Sequence, residues 1–293
     1  MRIAPWHQSN WDARAAGNFI GGGSGTGLLI FSALLAVTTG SASDYRWQAA
    51  IALALIATGL LCVLAEIGRP FRALNVFLHP QTSWMTREAM VAPFLIAGGA
   101  IAIWMGGGIF SGINALLAML YLYCQARMLA AAKGIPAWRE PKLIPLMIST
   151  GLVEGAGLAM LLSTLLSGSA SRWLSGMLLC VLLARRLSWR LYNEALARQG
   201  APKKALEVLD RFDNPFSTYG QSLPEILIVA ALFFQAELVW LAPLAGAVAT
   251  FSGWALKFTI VARAAYNQGF ALPVLPVRGQ GQAMPGVKPG WTK

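Results

Sequence analysis

Charge is what this 293-residue chain has least of: Asp, Glu, Lys and Arg together make up 12% of it, about half the roughly 25% usual in a soluble domain. That deficit excludes a water-exposed surface on every side. Histidine is rarer still. His7 and His79 are the only two, and both fall outside the apolar runs, which excludes a haem held between helix-borne histidines. The three cysteines, Cys62, Cys124 and Cys180, stand singly inside apolar stretches, so no metal-ligand spacing exists and they read as small core residues. Acidic residues number 12 against 23 basic ones, a net charge of +11. The basic residues lie between apolar runs and form no Lys/Arg block mixed with aromatics, which argues against a nucleic-acid partner. A phosphate loop and a nucleophile elbow are also missing, so no catalytic or metal-binding residue is assigned.

What the chain has is apolar length. Hydrophobic residues make up 56%, mean hydropathy is +0.57, and there are 30 Gly and 11 Trp, the small and interfacial residues that membrane helices use. A spanning helix needs about 20 predominantly apolar residues. Eight runs qualify: 18–40, 47–66, 89–109, 112–132, 143–166, 172–189, 222–241 and 243–262. The sixth is the weakest and needs Arg185, Arg186 and Trp189 to snorkel to the interface. With eight spans, alternate loops collect 20 of the 23 basic residues on one side and leave only Arg46 and Arg172 on the other, with Lys257 inside the last span. By the positive-inside rule the fold class is an all-α polytopic membrane bundle of about eight transmembrane helices, N and C termini cytoplasmic. Residues 1–263 form the membrane domain and 264–293 an extended Gly/Pro-rich cytoplasmic tail. The polar lead before the first span contains Asp12 and its apolar run is long for a signal sequence, so that span is expected to be retained.

Charged residues near or within the spans carry the functional signal. Glu66 and Arg72 follow span two, and Arg87 and Glu88 open span three; Gly68 and Pro70 break the helix between them, so these groups are expected to converge at the headgroup level. With Arg69, His79 and Trp84 they could donate to the carbonyls of a quinone and supply its protons. Interfacial salt bridges anchoring two helix ends explain the same residues. Within the spans, Glu154 and Glu237 could relay protons or sit protonated and hydrogen-bonded. Glu225 lies 17 residues before Ala242 and Lys257 15 after it, similar depths on a helical hairpin, so an ion pair between them is expected. The run Gly21-Gly22-Gly23-Ser24-Gly25-Thr26-Gly27 suits close helix packing.

Gly68-Arg69-Pro70-Phe71-Arg72-Ala73, Ser83-Trp84-Met85-Thr86-Arg87-Glu88, the Gly-rich first helix and eight spans without haem resemble the membrane anchor subunits of dimethyl sulfoxide reductase-type molybdopterin oxidoreductases, related to the polysulfide reductase anchors. Glu66 stands where that family commonly has His. The resemblance implies a bacterial inner-membrane subunit that exchanges electrons with a quinone, ubiquinone or menaquinone. It also implies an iron-sulfur subunit and a molybdopterin catalytic subunit on the cytoplasmic face, which carry the molybdopterin and clusters. A proton-coupled secondary transporter, using Glu154, Glu237 and Lys257, and a purely structural anchor are the alternatives.

Overall fold

The computed structural model describes residues 4–67, 70–168, 171–234, 239–270, 272–275, 284–287 and 290–291. Asp12 caps the first helix, α1 (Ala13–Thr39), by accepting from the Arg14 backbone N at 2.7 Å. Hydrogen bonds from the Arg14 side chain and backbone hold the Asp12 carboxyl below its ordinary range. A group lowered in this way stabilises the fold above its unfolded pKa and stops doing so as pH falls through the folded one, so the cap outlasts an ordinary aspartate in acid.

Among the described residues six helices are long and apolar enough to cross a membrane: α1, α2 (Ala42–Ile67), α3 (Trp84–Met105), α4 (Ile109–Ala130), α6 (Leu143–Ser167), and α10 (Leu241–Phe258) with its π-helical continuation Thr259–Arg263. The short α5 (Pro136–Arg139) joins α4 to α6, and a 3₁₀ segment, Pro70–Leu78, joins α2 to α3. The other two expected spans coincide with α7 (Arg172–Gln199) and α9 (Leu223–Phe233). α7 is long enough but carries Arg185, Arg186 and Arg190. α9 has 11 residues, and Gln235 and Glu237 lie outside the described residues. Between them α8 (Lys203–Pro215) starts after Pro202 and runs into a π-helical turn, Phe216–Ser222. The tail departs from a wholly extended form: β1 (Leu272–Leu275) pairs antiparallel with β2 (Met284–Val287).

α1 is the axis of the bundle. It packs against α2, α4, α6 and α10, and its apolar window is 78% buried, compared with 17% for α2. Glycines make that centrality possible by removing side chains where neighbours arrive. A Cβ on Gly21 would lie 2.5 Å from Leu55 O of α2, and one on Gly27 2.1 Å from Gly151 O of α6. Both obstacles are backbone, which cannot swing aside. The periphery is the reverse: Phe94, Trp104, Ile109, Leu116 and Phe233 are all at least 69% exposed, apolar surface that only hydrocarbon would solvate. The chain is a multi-pass membrane protein in contact with lipid.

Gly27→Ala is therefore expected to destabilise the bundle by about 1–3 kcal/mol, the range for overpacked cores. Gly112→Ala, on α4 with open space beyond it, should be neutral or slightly stabilising. Thermal unfolding of both variants in one detergent measures the difference.

Candidate functional site

At the end of the bundle where α3 begins and α4 finishes, Trp84 lies between two guanidinium groups. Arg87 Cζ is 4.1 Å and Arg127 Cζ 4.6 Å from its ring centroid, and Tyr123 meets the ring edge-on at 5.7 Å. Ser83 starts α3 here by accepting from Thr86 N. The spacing follows from helix geometry: Trp84 and Arg87 are i,i+3 on α3, and Tyr123 and Arg127 i,i+4 on α4. Arg87 spends Nε and Nη2 on the carbonyls of Pro80 and Gln81, each at 2.9 Å, so it holds the loop before α3. Arg127 reaches only Tyr123 Oη, at 3.3 Å, among the described residues.

One turn further in, Glu88 is buried. Its Oε1 accepts from Gln125 Nε2 at 3.1 Å, and the same nitrogen donates to Asn18 O at 3.1 Å. A Cβ on Gly22 would lie 2.2 Å from that nitrogen; the glycine is what admits Gln125 to the α1 backbone. Among the described residues Glu88 forms no ion pair; the Tyr121 hydroxyl stands beside its carboxylate, and Asn18 Oδ1 nearby is buried without a hydrogen-bond partner. Such an orphaned group is rare in packed interiors. It supplies acceptor capacity for a polar molecule or water.

Of the seven residues expected around a headgroup, the described side chains are brought together only in part. Trp84 and Arg87 meet directly, and Glu88 lies behind them. Glu66 belongs to another grouping: its charged neighbours are Asp12 and Arg14, and Arg14 Nη1 donates to Ala65 O at 3.0 Å. His79 is exposed and contributes its backbone carbonyl, which accepts from Ser83 N at 3.0 Å. Arg72 lies on the 3₁₀ segment, and Arg69 falls outside the described residues.

A second polar centre occupies the core. Lys257 Nζ of α10 lies 2.6 Å from Glu154 Oε2 of α6 and donates to Phe19 O of α1 at 2.9 Å. Ser24 Oγ donates to the same carboxylate oxygen at 2.8 Å and accepts from Trp254 Nε1 at 2.8 Å. Both charged side chains are at most 1% exposed. Gly23 and Gly253 leave their room: a Cβ on Gly23 would be 2.0 Å from Lys257 Nζ, and one on Gly253 2.7 Å from Glu154 Oε1.

This arrangement corrects the expected Glu225–Lys257 pair. Equal depth on a hairpin does not mean equal facing: α10 turns Lys257 towards α1 and α6, whereas α9 turns Glu225 towards α7. Glu225 instead binds Arg186 through two contacts, Nη2 to Oε2 at 2.5 Å and Nε to Oε1 at 3.0 Å. Snorkelling of the α7 arginines is corrected too. Arg185 is wholly buried and donates to Gln221 Oε1, Gly220 O and Ala249 O at 2.9, 2.6 and 3.1 Å. The π-helical turn Phe216–Ser222 supplies two of those partners, as π turns at functional or strained positions often do. Trp189 is buried and donates to Asp213.

Sequence reading missed Asn18, Tyr121, Gln125, Arg127 and Ser24. Gln125 was the legible one, an amide well inside an apolar helix where an unpartnered amide is costly. In comparison with known proteins, the chain matches no family model and no curated protein.

Breaking one partner of a buried ion pair leaves the other charge stranded, at about 3–5 kcal/mol. Lys257→Met and Glu154→Leu are each expected to destabilise the protein by that order. The double variant should be closer to wild type than either single one, which a double-mutant cycle of unfolding measures.

Proposed function

We propose that the chain is the membrane anchor and quinone-interacting subunit of a molybdopterin/iron-sulfur oxidoreductase in a bacterial inner membrane. On this reading it crosses the membrane eight times with both termini cytoplasmic, α7 and α9 completing the set. The observation that carries the reading is the buried Glu88 carboxylate, hydrogen-bonded to Gln125 directly behind the Trp84–Arg87–Arg127 surface. A quinone needs donors for two carbonyls and a source of two protons. Arg127 retains donor capacity at the surface, Tyr121 Oη stands beside the Glu88 carboxylate within, and Glu88 can carry a proton between protein and ring. The residues fit a quinone's chemistry.

Bound quinone would accept or release two electrons and two protons. The chain's own part is to position the ring at the boundary, exclude water with Trp84 and Tyr123, and hold a proton at the Glu88 carboxylate. Electrons come from or go to a cluster of a cytoplasmic iron-sulfur partner, itself attached to a molybdopterin subunit. The resemblance of the segments at 68–73 and 83–88 to that anchor family supports these partners.

The Lys257–Glu154 pair favours a second reading, a proton-coupled secondary transporter, since ionisable groups inside a bundle often lie on a substrate or ion path. Uptake of a solute by the isolated chain in liposomes is the result that would favour it.

Glu88→Gln should lower quinone-linked turnover of the complex at least tenfold and leave dye-linked activity within twofold, with Arg72→Ala acting in the same direction. Equal loss of both activities would show failed assembly and remove the support for a quinone site. Topology is tested separately by cysteines at Ser43 and Lys204: an impermeant reagent added from outside the inner membrane should label the first and spare the second.

A further inference from the structure

A polar cleft of about 340 Å³ lies where α7 leaves the bundle, lined among others by Arg186, Arg190, Glu194, Asp213 and Ser217. It is remote from the Trp84 surface and the quinone reading makes no use of it. Three observations indicate what it takes. First, depth: Arg172 to Arg190 spans 18 residues, about 27 Å at 1.5 Å each, close to the roughly 30 Å hydrocarbon thickness. With α7 crossing the bilayer, Arg190 sits at the headgroups. Second, the approach is apolar. Leu183, Leu187 and Leu191 are 51, 58 and 37% exposed in one i,i+4 stripe of α7, and across the Arg186–Glu225 bridge Leu223 and Ile226 of α9 are 37 and 65% exposed. Glu194 stands seven residues after Leu187, two turns along nearly the same face, so the stripe leads into the cleft.

Third, the charges are of both signs. Arg190 is exposed and makes no hydrogen bond or ion pair among the described residues, while Arg186 is committed to Glu225. Asp213 accepts from Trp189 Nε1 at 2.6 Å and from Ser217 Oγ at 3.0 Å. Glu194 holds only a solvent-exposed contact to Arg198 at 3.3 Å, of little strength. A purely anionic headgroup would face Asp213 and Glu194 as well as Arg190; a headgroup with a phosphate and an ammonium satisfies both.

We propose that this cleft binds one phospholipid with an amine-bearing zwitterionic headgroup, phosphate on Arg190, ammonium on Asp213 and Glu194, acyl chains along the Leu183–Leu187 and Leu223–Ile226 stripes. The site pins the end of α7, and with it the Arg185 network, at the membrane boundary.

Native mass spectrometry of the full chain, delipidated in mild detergent and then given phosphatidylethanolamine, phosphatidylglycerol or soluble phosphoethanolamine, tests this. The chain should retain phosphatidylethanolamine about tenfold better than phosphatidylglycerol and should not retain soluble phosphoethanolamine. Arg190→Gln, at an exposed position that leaves folding intact, should reduce that retention at least fivefold, and Asp213→Asn should erase the preference between the two lipids. Equal retention of both lipids by the wild type, or undiminished retention by Arg190→Gln, would overturn the proposal. Soluble phosphoethanolamine binding as tightly as the lipid would also overturn it, making the cleft a site for a free metabolite.

Discussion

Two neighbouring carbonyls in the second turn of α1 receive polar side chains from different helices: Asn18 O takes Gln125 of α4, and Phe19 O takes Lys257 of α10. Much of the structure follows from that approach. A lysine ammonium or a carboxamide can reach a helix backbone only where no side chain intervenes, and Gly22 and Gly23 supply the opening. Lys257 brings Glu154 with it, tying α10 and α6 to α1; Gln125 brings Glu88, tying α4 and α3. In hydrocarbon, apolar contact does little to choose between helix neighbours, because lipid tails are as apolar as leucine. Hydrogen bonds and close small-residue packing must make that choice, and in this chain both are concentrated on α1.

The same arrangement gives the protein two polar interiors of different character. The Lys257–Glu154 centre is compensated in charge: the ammonium and the Ser24 hydroxyl answer Glu154 Oε2, while Oε1 stays buried without a hydrogen-bond partner among the described residues, an arrangement that suits fixing helix positions. The Glu88 centre is incompletely answered. Its carboxylate has an amide and a phenol beside it but no cation among the described residues, and Asn18 Oδ1 nearby has no hydrogen-bond partner. A buried carboxylate without a counter-charge at the end of the bundle, beneath an aromatic ring contacted by two guanidinium groups, is the condition in which a polar ligand gains most by arriving. The quinone proposal therefore rests on Glu88 rather than on the more conspicuous ion pair.

Much of the fold was legible in the amino-acid sequence because bilayer thickness fixes helix length; among the described residues six of the eight expected spans meet the length and composition a crossing helix needs. The two others, α7 and α9, were blurred because the parts of them nearest α8 serve a polar network around Arg185 and a π-helical turn, features that hydropathy reads as interruption. Facing was the illegible quantity. Depth along a hairpin gave Glu225 and Lys257 the same level but not the same direction, and rotation about the helix axis is set by tertiary contacts such as those of Gly23 and Gly253. Trp84, Arg87 and Glu88 were found from sequence because they lie within one turn of each other. Their partners on α4 and α1 were not, since only the fold brings residue 18 to residue 125.

The central functional claim stands or falls on what accompanies this chain in its own membrane. Affinity purification from native membranes in mild detergent, with mass spectrometry and metal analysis of the product, is the most direct test. The account predicts stoichiometric recovery of a large molybdopterin-type subunit and an iron-sulfur subunit, with molybdenum or tungsten and roughly 16 or more irons per complex, as several cluster sites require. Recovery of the chain by itself, free of metals, would contradict it.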